Sequence, residues 1–229
     1  MKAMILAAGR GERMRPLTDV TPKPLLKVAG KALIEYSLEN LAKAGFFDVV
    51  INVAYLGQQI IDYCEDGGRW GLSIRYSDEG NTALETAGGI ANALHLLGDE
   101  PFLVLNADIV SDYPLRKLRN KTIELAHLVM IDNPPHHRQG DFCLHDSGLL
   151  SEQGDNKLTF SGIGVYHPAL FADVKEGQAL KLRPVLSSAM RQGKVSAEYF
   201  DGLWLDIGTP QRLMEIDDKN LRMHLGSVA

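Results

Sequence analysis

The chain has 229 residues, of which 45% are hydrophobic and 23% are charged, and its formal net charge is −5. This length and apolar content suit one large α/β domain with a substantial core and leave little room for a second full domain. The negative net charge excludes a global positive field that would attract nucleic acid, although it allows a local cationic pocket. We therefore expect no nucleic-acid partner.

The cysteines and the apolar segments bear on the compartment. Cys64 and Cys143 are too few for a disulfide framework and lack the C-x-x-C spacing of a metal site. The apolar start at 3–8 is too short for a signal-peptide core, and no uninterrupted apolar run approaches about 18 residues. We expect a cytoplasmic protein without a membrane partner.

The first predicted strand, residues 4–7, leads into a loop with two glycines and then into cationic residues. Gly9 and Gly11 let the backbone turn sharply and bring its N–H groups close to phosphate oxygens. Arg13 and Lys23 then offer positive charge to the same anion. The segment predicts a site for a nucleoside triphosphate.

Two other phosphate-binding loops are excluded by the residues present. A dinucleotide fingerprint, G-x-G-x-x-G, needs a third glycine where the chain has Met14, and a P-loop needs Gly-Lys followed by Ser or Thr. A surface turn rich in arginine is the alternative that the glycines alone leave open, because a lone G-x-G is a weak signal. Arg10 and Arg15 suit a solvent-exposed position as well as a phosphate contact.

Apolar runs alternate with helical periodicities through the first half of the chain. The helices are predicted around 34–42 with a stop at Gly45, around 56–64 with a stop at Gly67, and over 86–97. The helix position of Cys64 indicates a core residue. Further buried strands are predicted at 49–53, 102–105 and 128–131. This alternation predicts a Rossmann-like three-layer α/β/α fold with a mostly parallel central mixed sheet.

Two predicted strands end in carboxylates. The strand at 102–105 continues into Asn106 and Asp108, and a short strand near the end of the chain closes with Asp206. Ligands bind beyond the carboxyl ends of strands in open α/β sheets, and hard carboxylate oxygens suit Mg²⁺. A helix cap or a turn is the alternative for each aspartate. Further on, Thr209 and Pro210 suit the N-cap and first position of a final helix reaching about residue 225.

The pattern G-x-G-x-R-M-x-P-L-T at 9–18, followed by P-K-P at 22–24, closely resembles the N-terminal motif of the sugar-1-phosphate nucleotidylyltransferases. The resemblance extends along essentially the whole chain and is strongest to the short bacterial enzymes that make UDP-N-acetylmuramic acid from UTP and the sugar 1-phosphate. It implies Mg²⁺-dependent chemistry on two small-molecule substrates. The alternatives are a guanylyl- or thymidylyltransferase acting on mannose, heptose or glucose 1-phosphate, and a non-catalytic nucleotide-sugar sensor.

The resemblance assigns roles to the residues that match the family's motifs. Arg13 would hold the triphosphate and stabilise the leaving pyrophosphate, and Lys23 would neutralise charge where the two phosphates meet. Asp108 and Asp206 would be the metal ligands. The nucleotide-binding residues implied in this way are Ala8, Gly9, Gly11, Glu12, Arg13, Lys23, Leu84, Glu85 and Gly88. For Glu85, a favourable position in the first turn of a helix is an equal alternative.

The single domain 1–229 would then comprise a nucleotide-binding half, 1–110, and a sugar-phosphate-binding half, 111–229. The expected sugar-phosphate contacts are Asn106, Asp141, Asn156 and Gly162; for Asp141, a turn role is an equal alternative. One departure concerns the Glu-Lys-Pro motif of larger relatives, whose lysine grips the sugar phosphate. That tripeptide is absent between Asp141 and Tyr166, and the sequence does not choose between Lys157 and Lys181 as a replacement.

Overall fold

The computed structural model describes residues 1–80 and 83–218. Strands and helices alternate in the first half of the chain, and strands predominate in the second half. The first half contains β1 (Ala3–Leu6), β2 (Lys27–Val28), β3 (Lys31–Ala32), α1 (Leu33–Ala44), β4 (Asp48–Val53), α2 (Gly57–Cys64), β5 (Ser73–Asp78), α3 (Glu85–Leu97) and β6 (Phe102–Asn106). The second half contains β7 (Ile109–Ser111), β8 (Ala126–Ile131), β9 (Phe142–Leu144), β10 (Leu150–Ser151), β11 (Lys157–Tyr166), α4 (Leu182–Arg191), β12 (Val195–Tyr199), β13 (Trp204–Asp206) and α5 (Pro210–Asp218).

The central sheet is mixed and has β1 in its interior. Its order is β10-β9-β11-β6-β1-β4-β5, and β8 and β12 extend it beside β11. β1 runs parallel to β4 on one side and to β6 on the other, whereas β11 is antiparallel to β6. The strand order therefore reverses beside β1, and such a reversal opens a crevice at the carboxyl ends of the strands.

Helices cover both faces of this sheet. Ile5 of β1 joins one buried cluster with residues of α1 and α2, and Met4 joins another with residues of α3 and α4. Because successive strand residues point to opposite faces, one apolar run such as β1 supplies both layers of the core. The three-layer α/β/α fold that the sequence predicted is confirmed.

Most predicted boundaries agree with the structure within a few residues. α1 ends at Gly45, which adopts the left-handed φ of 82° that a C-terminal stop requires. α5 begins at Pro210, and the Arg212 N–H donates to Thr209 Oγ1 at 3.3 Å, as expected for an N-cap. The expected extension of this last helix to about residue 225 lies partly outside the described residues.

Cys64 is buried on α2, and burial raises the pKa of its thiol to about 12. A thiol with so high a pKa is a weak nucleophile at neutral pH, which agrees with a core position. Over 1–80 and 83–218, no helix is both long and apolar enough to cross a bilayer.

Candidate active site

A cavity of about 450 Å³ opens at the carboxyl ends of β1 and β6. The register places Leu6 of β1 beside Asn52 of β4 and Asn106 of β6, so polar side chains surround the point where β1 ends. Seven of the nine predicted nucleotide-binding residues line this cavity: Ala8, Gly9, Gly11, Glu12, Arg13, Lys23 and Glu85. Leu84 and Gly88 pack behind it at the start of α3.

The loop after β1 depends on Gly11. Its φ is 69°, and a Cβ there would lie 2.9 Å from Thr18 Cγ2 and 3.2 Å from Lys23 Cβ. Thr18 Oγ1 also donates to the Gly11 carbonyl at 2.9 Å, which closes the loop onto the segment that presents Lys23. By contrast, nothing lies within 4 Å of a Cβ built on Gly9, which leaves open space for a ligand.

The loop's two other arginines form exposed ion pairs. Arg10 lies 3.2 Å from Glu12, and Arg15 donates to Asp19 at 2.7 Å. Arg10 borders the cavity, whereas Arg15 does not. For Arg15, the structure therefore favours a solvent-exposed position over a phosphate contact.

The two strand-end aspartates come together through the pairing of β7 with β13. Asp206 stands opposite Ile109 in this pair, and the Ile207 N–H donates to the Asp108 carbonyl at 3.0 Å. Lys23 Nζ donates to Asp108 Oδ2, and Arg212 Nη1 donates to Asp206 Oδ1 at 2.5 Å. Each carboxylate thus carries a cationic partner from a different segment of the chain.

These carboxylates fit a metal that is bound together with its substrate. Among residues 1–80 and 83–218, no group of three or more His, Cys, Asp or Glu side chains could hold a metal ion. Mg²⁺ is often held by one or two carboxylates and completes its octahedral shell with phosphate oxygens and water. Asp108 and Asp206 offer that donor set.

Two guanidinium groups border the position of Gly208, next to Asp206. A Cβ at Gly208 would lie 3.2 Å from Arg212 Nη1, 3.3 Å from Asp206 Oδ2 and 3.4 Å from Arg13 Nη2. His136 Nε2 is 3.4 Å from Asp206 Oδ1, and burial lowers the pKa of this imidazole, as do the nearby arginines. The absence of a side chain at Gly208 leaves room for these groups beside the cavity.

Asn52 and Glu79 form a bridge that the sequence analysis missed. Asn52 Oδ1 accepts from the Ala7 N–H at 2.8 Å, and its Nδ2 donates to Glu79 Oε1 at 2.6 Å. Glu79 Oε2 accepts from the Leu84 N–H at 2.7 Å, and burial raises the pKa of this carboxyl. The bridge joins the end of β1 to the start of α3. The sequence signal for such a bridge was a polar residue inside a strand, Asn52 in β4, and another directly after a strand, Glu79 after β5.

The start of α3 combines an unusual backbone with close packing. Glu85 has a φ of 58°, which is uncommon for a residue other than glycine, and it lines the cavity. A Cβ on Gly88 would collide with the Gln178 carbonyl, and one on Gly89 would collide with Glu79 Oε1. These two glycines therefore allow neighbouring segments to approach the helix.

The four predicted sugar-phosphate residues do not form one cluster. Asn106 lines the cavity, and a Cβ on Gly162 would lie 2.5 Å from Asn106 Nδ2, so these two residues are adjacent. Asp141 accepts from the Phe160 N–H at 2.9 Å and lies 3.2 Å from His137 Nε2. Asn156 lines a separate polar depression. Neither Asp141 nor Asn156 lines the cavity.

A solved structure shares this fold. The crystal structure of a Bacillus anthracis protein, described as a glucose-1-phosphate thymidylyltransferase, superposes with a TM-score of 0.83 over 95% of this chain and 94% of its own. The two sequences are 20% identical. The match supports the α/β architecture alone.

Sequence relatives are closer. N-acetylmuramate alpha-1-phosphate uridylyltransferase from Neisseria meningitidis serogroup B is 54% identical over 222 residues, which cover 94% of this chain and 96% of the relative. The protein of the same name from Caulobacter vibrioides is 34% identical and covers 91% and 92%, respectively. The model of the nucleotidyl transferase family matches residues 2–222. Together with the sequence motifs, these matches show that the chain belongs to the nucleotidyl transferase family, among the sugar-1-phosphate nucleotidylyltransferases.

Proposed function

We propose that this protein joins UTP and N-acetylmuramic acid α-1-phosphate to form UDP-N-acetylmuramic acid and pyrophosphate. The observation that carries the choice of substrates is the 54% identity, over 94% of the chain, to a relative named for this activity. The cavity supports the reaction class because it gathers Arg13, Lys23 and Asp108 beside a glycine loop. The proposal extends to a cytoplasmic role in recycling cell-wall sugars.

The reaction requires a phosphate oxygen of the sugar to attack the α-phosphorus of UTP while pyrophosphate leaves from the opposite side. Both substrates are anions, so positioning and charge neutralisation dominate, and no covalent protein intermediate is needed. Arg13 would neutralise the leaving pyrophosphate with its planar fork of donors. Lys23 would act on the approaching phosphates.

Magnesium is part of the proposal. Asp108 and Asp206 would hold Mg²⁺, which when bound neutralises phosphate oxygens and orients them. The protein's own share of the work is to present these two carboxylates from paired strands, which limits their movement relative to the glycine loop.

The uracil base would lie near the start of α3. Ala83, Glu85 and Thr86 line the cavity there, and the bridge through Asn52 and Glu79 holds this segment to β1. Backbone groups held in this way could read the edge of a base.

A substrate panel tests the proposal. Pyrophosphate release is measured with UTP, GTP and dTTP, each with the α-1-phosphates of N-acetylmuramic acid, glucose and mannose. We expect UTP with N-acetylmuramic acid α-1-phosphate to give the highest kcat/KM, by at least about tenfold over the other pairs, a ratio equal to about 1.4 kcal/mol in transition-state binding. Removal of Mg²⁺ with EDTA should abolish turnover with every pair.

The other outcomes separate the alternatives. The highest kcat/KM with GTP and mannose 1-phosphate would assign a guanylyltransferase, the activity for which a relative from Dictyostelium discoideum, 30% identical, is named. Product binding without pyrophosphate exchange would favour a sensor. The lack of turnover with any pair would refute the enzymatic assignment.

A further inference from the structure

Arg212 contacts a predicted metal ligand but has no role in the proposed reaction. Its Nη1 lies 2.5 Å from Asp206 Oδ1, and about four-fifths of each side chain is buried. The residue is in the first turn of α5, where the Thr209 hydroxyl caps its backbone N–H. A short, partly buried contact between ionised groups is stronger than an exposed ion pair.

Asp108, the other predicted metal ligand, also has a cationic partner. Lys23 Nζ donates to Asp108 Oδ2, and this pair is also mostly buried. The backbone pairing of β7 with β13 brings these two residues together, and each carboxylate has one cationic partner. Arg212 Nη1 contacts Asp206 Oδ1 and Lys23 Nζ contacts Asp108 Oδ2, so a divalent cation that takes these two oxygens would compete with Arg212 and Lys23.

If Arg212 leaves Asp206, its guanidinium group borders a space in which a substrate phosphate would fit. Gly208 lines the cavity, and a Cβ at this position would lie 3.2 Å from Arg212 Nη1 and 3.4 Å from Arg13 Nη2. With no side chain at Gly208, the two guanidinium groups border the same space. A guanidinium group binds phosphate oxygens through two parallel N–H donors.

Lys157, Lys181 and Arg15, which the sequence left open as phosphate contacts, do not line the cavity. Lys157 lines the separate polar depression, and Lys181 is an exposed residue at the N-cap of α4. Arg15 is already paired with Asp19. Of the arginines and lysines that the structure describes, Arg212 is the one that contacts Asp206.

We propose that Arg212 is a further catalytic residue: its guanidinium group neutralises Asp206 in the free protein, and in the substrate complex, where Asp206 would hold Mg²⁺, the same group turns to donate hydrogen bonds to a substrate phosphate. The phosphate that fits is that of the sugar, because Arg13 already serves the triphosphate in the proposed function on which this inference rests. In this role an arginine, and neither Lys157 nor Lys181, supplies the missing sugar-phosphate cation.

Arg212→Met tests the proposal because metal affinity and catalysis should change in opposite directions. The free protein should bind metal more tightly, whereas turnover should slow. Without a competing guanidinium group, Asp206 should bind Mn²⁺ about tenfold more tightly in the absence of substrate, as measured from the free Mn²⁺ signal in electron paramagnetic resonance. With substrates and Mg²⁺, kcat should fall about 100-fold and the KM for the sugar phosphate should rise, because a donor to the reacting phosphate is lost. Arg212→Lys should restore part of kcat.

Arg75→Met is the matched control. Arg75 lies on β5 and donates to the Leu96 carbonyl at 2.7 Å, at the end of α3 remote from the cavity. This variant also loses one guanidinium group, but its Mn²⁺ affinity, kcat and KM should stay at the wild-type values.

Unchanged or weaker Mn²⁺ binding by Arg212→Met would overturn the proposal, as would an unchanged KM for the sugar phosphate. A merely structural role would lower the melting temperature and weaken metal binding and catalysis together. If Arg212→Met does not fold, Arg212→Lys takes its place, with Mn²⁺ affinity expected to change less than twofold and kcat to fall about tenfold. Because the Mn²⁺ titration uses no substrate, its result is independent of whether the wild type turns over UTP.

Discussion

Glu79 shows how much one partly buried carboxyl group can organise. Its two oxygens accept hydrogen bonds from the Asn52 side chain and from the Leu84 N–H. Burial raises the pKa of the group, whereas these two hydrogen bonds lower it, so the protein offsets part of the desolvation with donors. The residue thereby fixes the segment beside the proposed base site without touching the reacting atoms.

Glu79→Gln tests this role. An amide has one acceptor oxygen, so its NH₂ group would face one of the two donors, and a buried donor would lose its partner. We expect the KM for UTP to rise about tenfold and the free energy of unfolding to fall by about 1–3 kcal/mol. Steady-state kinetics and urea titration measure these values. Glu100→Gln, at an exposed position, is the control and should change neither value appreciably.

At the scale of single residues, the motifs predicted site residues that lie close together in the sequence. Gly9, Arg13 and Lys23 lie within one short segment, and all three line the cavity. Asn52 and Arg212 were missed because their roles depend on partners far away in the sequence. The polar Asn52 inside an apolar strand was a local signal, but it does not identify the distant partner with which the side chain pairs.

At the scale of elements, α3 depends on a close approach of the backbone at 178–180. The Leu180 carbonyl accepts from the N–H groups of Ala87 and Gly88 at 2.9 and 3.1 Å, and the Leu180 N–H donates to the Leu84 carbonyl at 3.0 Å. These hydrogen bonds join a segment of the second half of the chain to the beginning of a helix that borders the cavity. The approach is possible because Gly88 has no side chain.

Gly88→Ala should therefore separate two segments. The added Cβ would collide with the Gln178 carbonyl, a backbone atom that cannot rotate away. We expect the free energy of unfolding to fall by about 1–3 kcal/mol and the KM for UTP to rise, since the displaced helix start carries Glu85. Urea unfolding and kinetics measure the two effects. His95→Ala, at an exposed position of the same helix, should change unfolding by less than about 0.5 kcal/mol. Equal effects of the two substitutions would contradict the packing argument.

Elements in the first half were more predictable than those in the second. α1 and α3 have long apolar periodicities and clear termini, and their bounds agree with prediction within a few residues. β9 and β10 have three and two residues, too few to show a period. β9 forms because β11 provides an edge for pairing, and β10 in turn pairs with β9, so the information lies outside the two strands themselves.

At the scale of the whole molecule, a buried polar network links the outer strands of the sheet. His127 on β8 is almost fully buried; its Nδ1 is 2.8 Å from Ser196 Oγ and its Nε2 is 3.2 Å from Glu198 Oε2. Tyr113 and Lys121 also donate to the Glu198 carboxylate, at 2.7 and 3.0 Å. Burial lowers the pKa of His127, as does the charge of Lys121, whereas Glu198 opposes the shift.

This lowered pKa predicts how stability changes with pH. Between the folded pKa of His127 and its unfolded value of about 6.5, the unfolded chain binds more protons, so the stability falls as the pH decreases through this interval. We expect His127→Gln to show a shallower loss of stability than the wild type from pH 7.5 to 5, measured by urea unfolding. Glu198, whose pKa is lowered, loses its contribution mainly below about pH 4.5, outside this window. Parallel profiles of the two proteins would rule out His127 as the cause.

The interior place of β1 has a consequence for how the protein is made. Ala3 pairs with Val49 on one side and with Leu103 on the other, so β1 must wait for two strands that follow it in the chain. Contacts between residues so far apart in sequence form slowly, because loop closure precedes any gain from pairing. The glycine loop continues directly from β1 and meets Asp108 only after β6. The segment with the strongest sequence signature is thus synthesised before the strands that complete the proposed site around it.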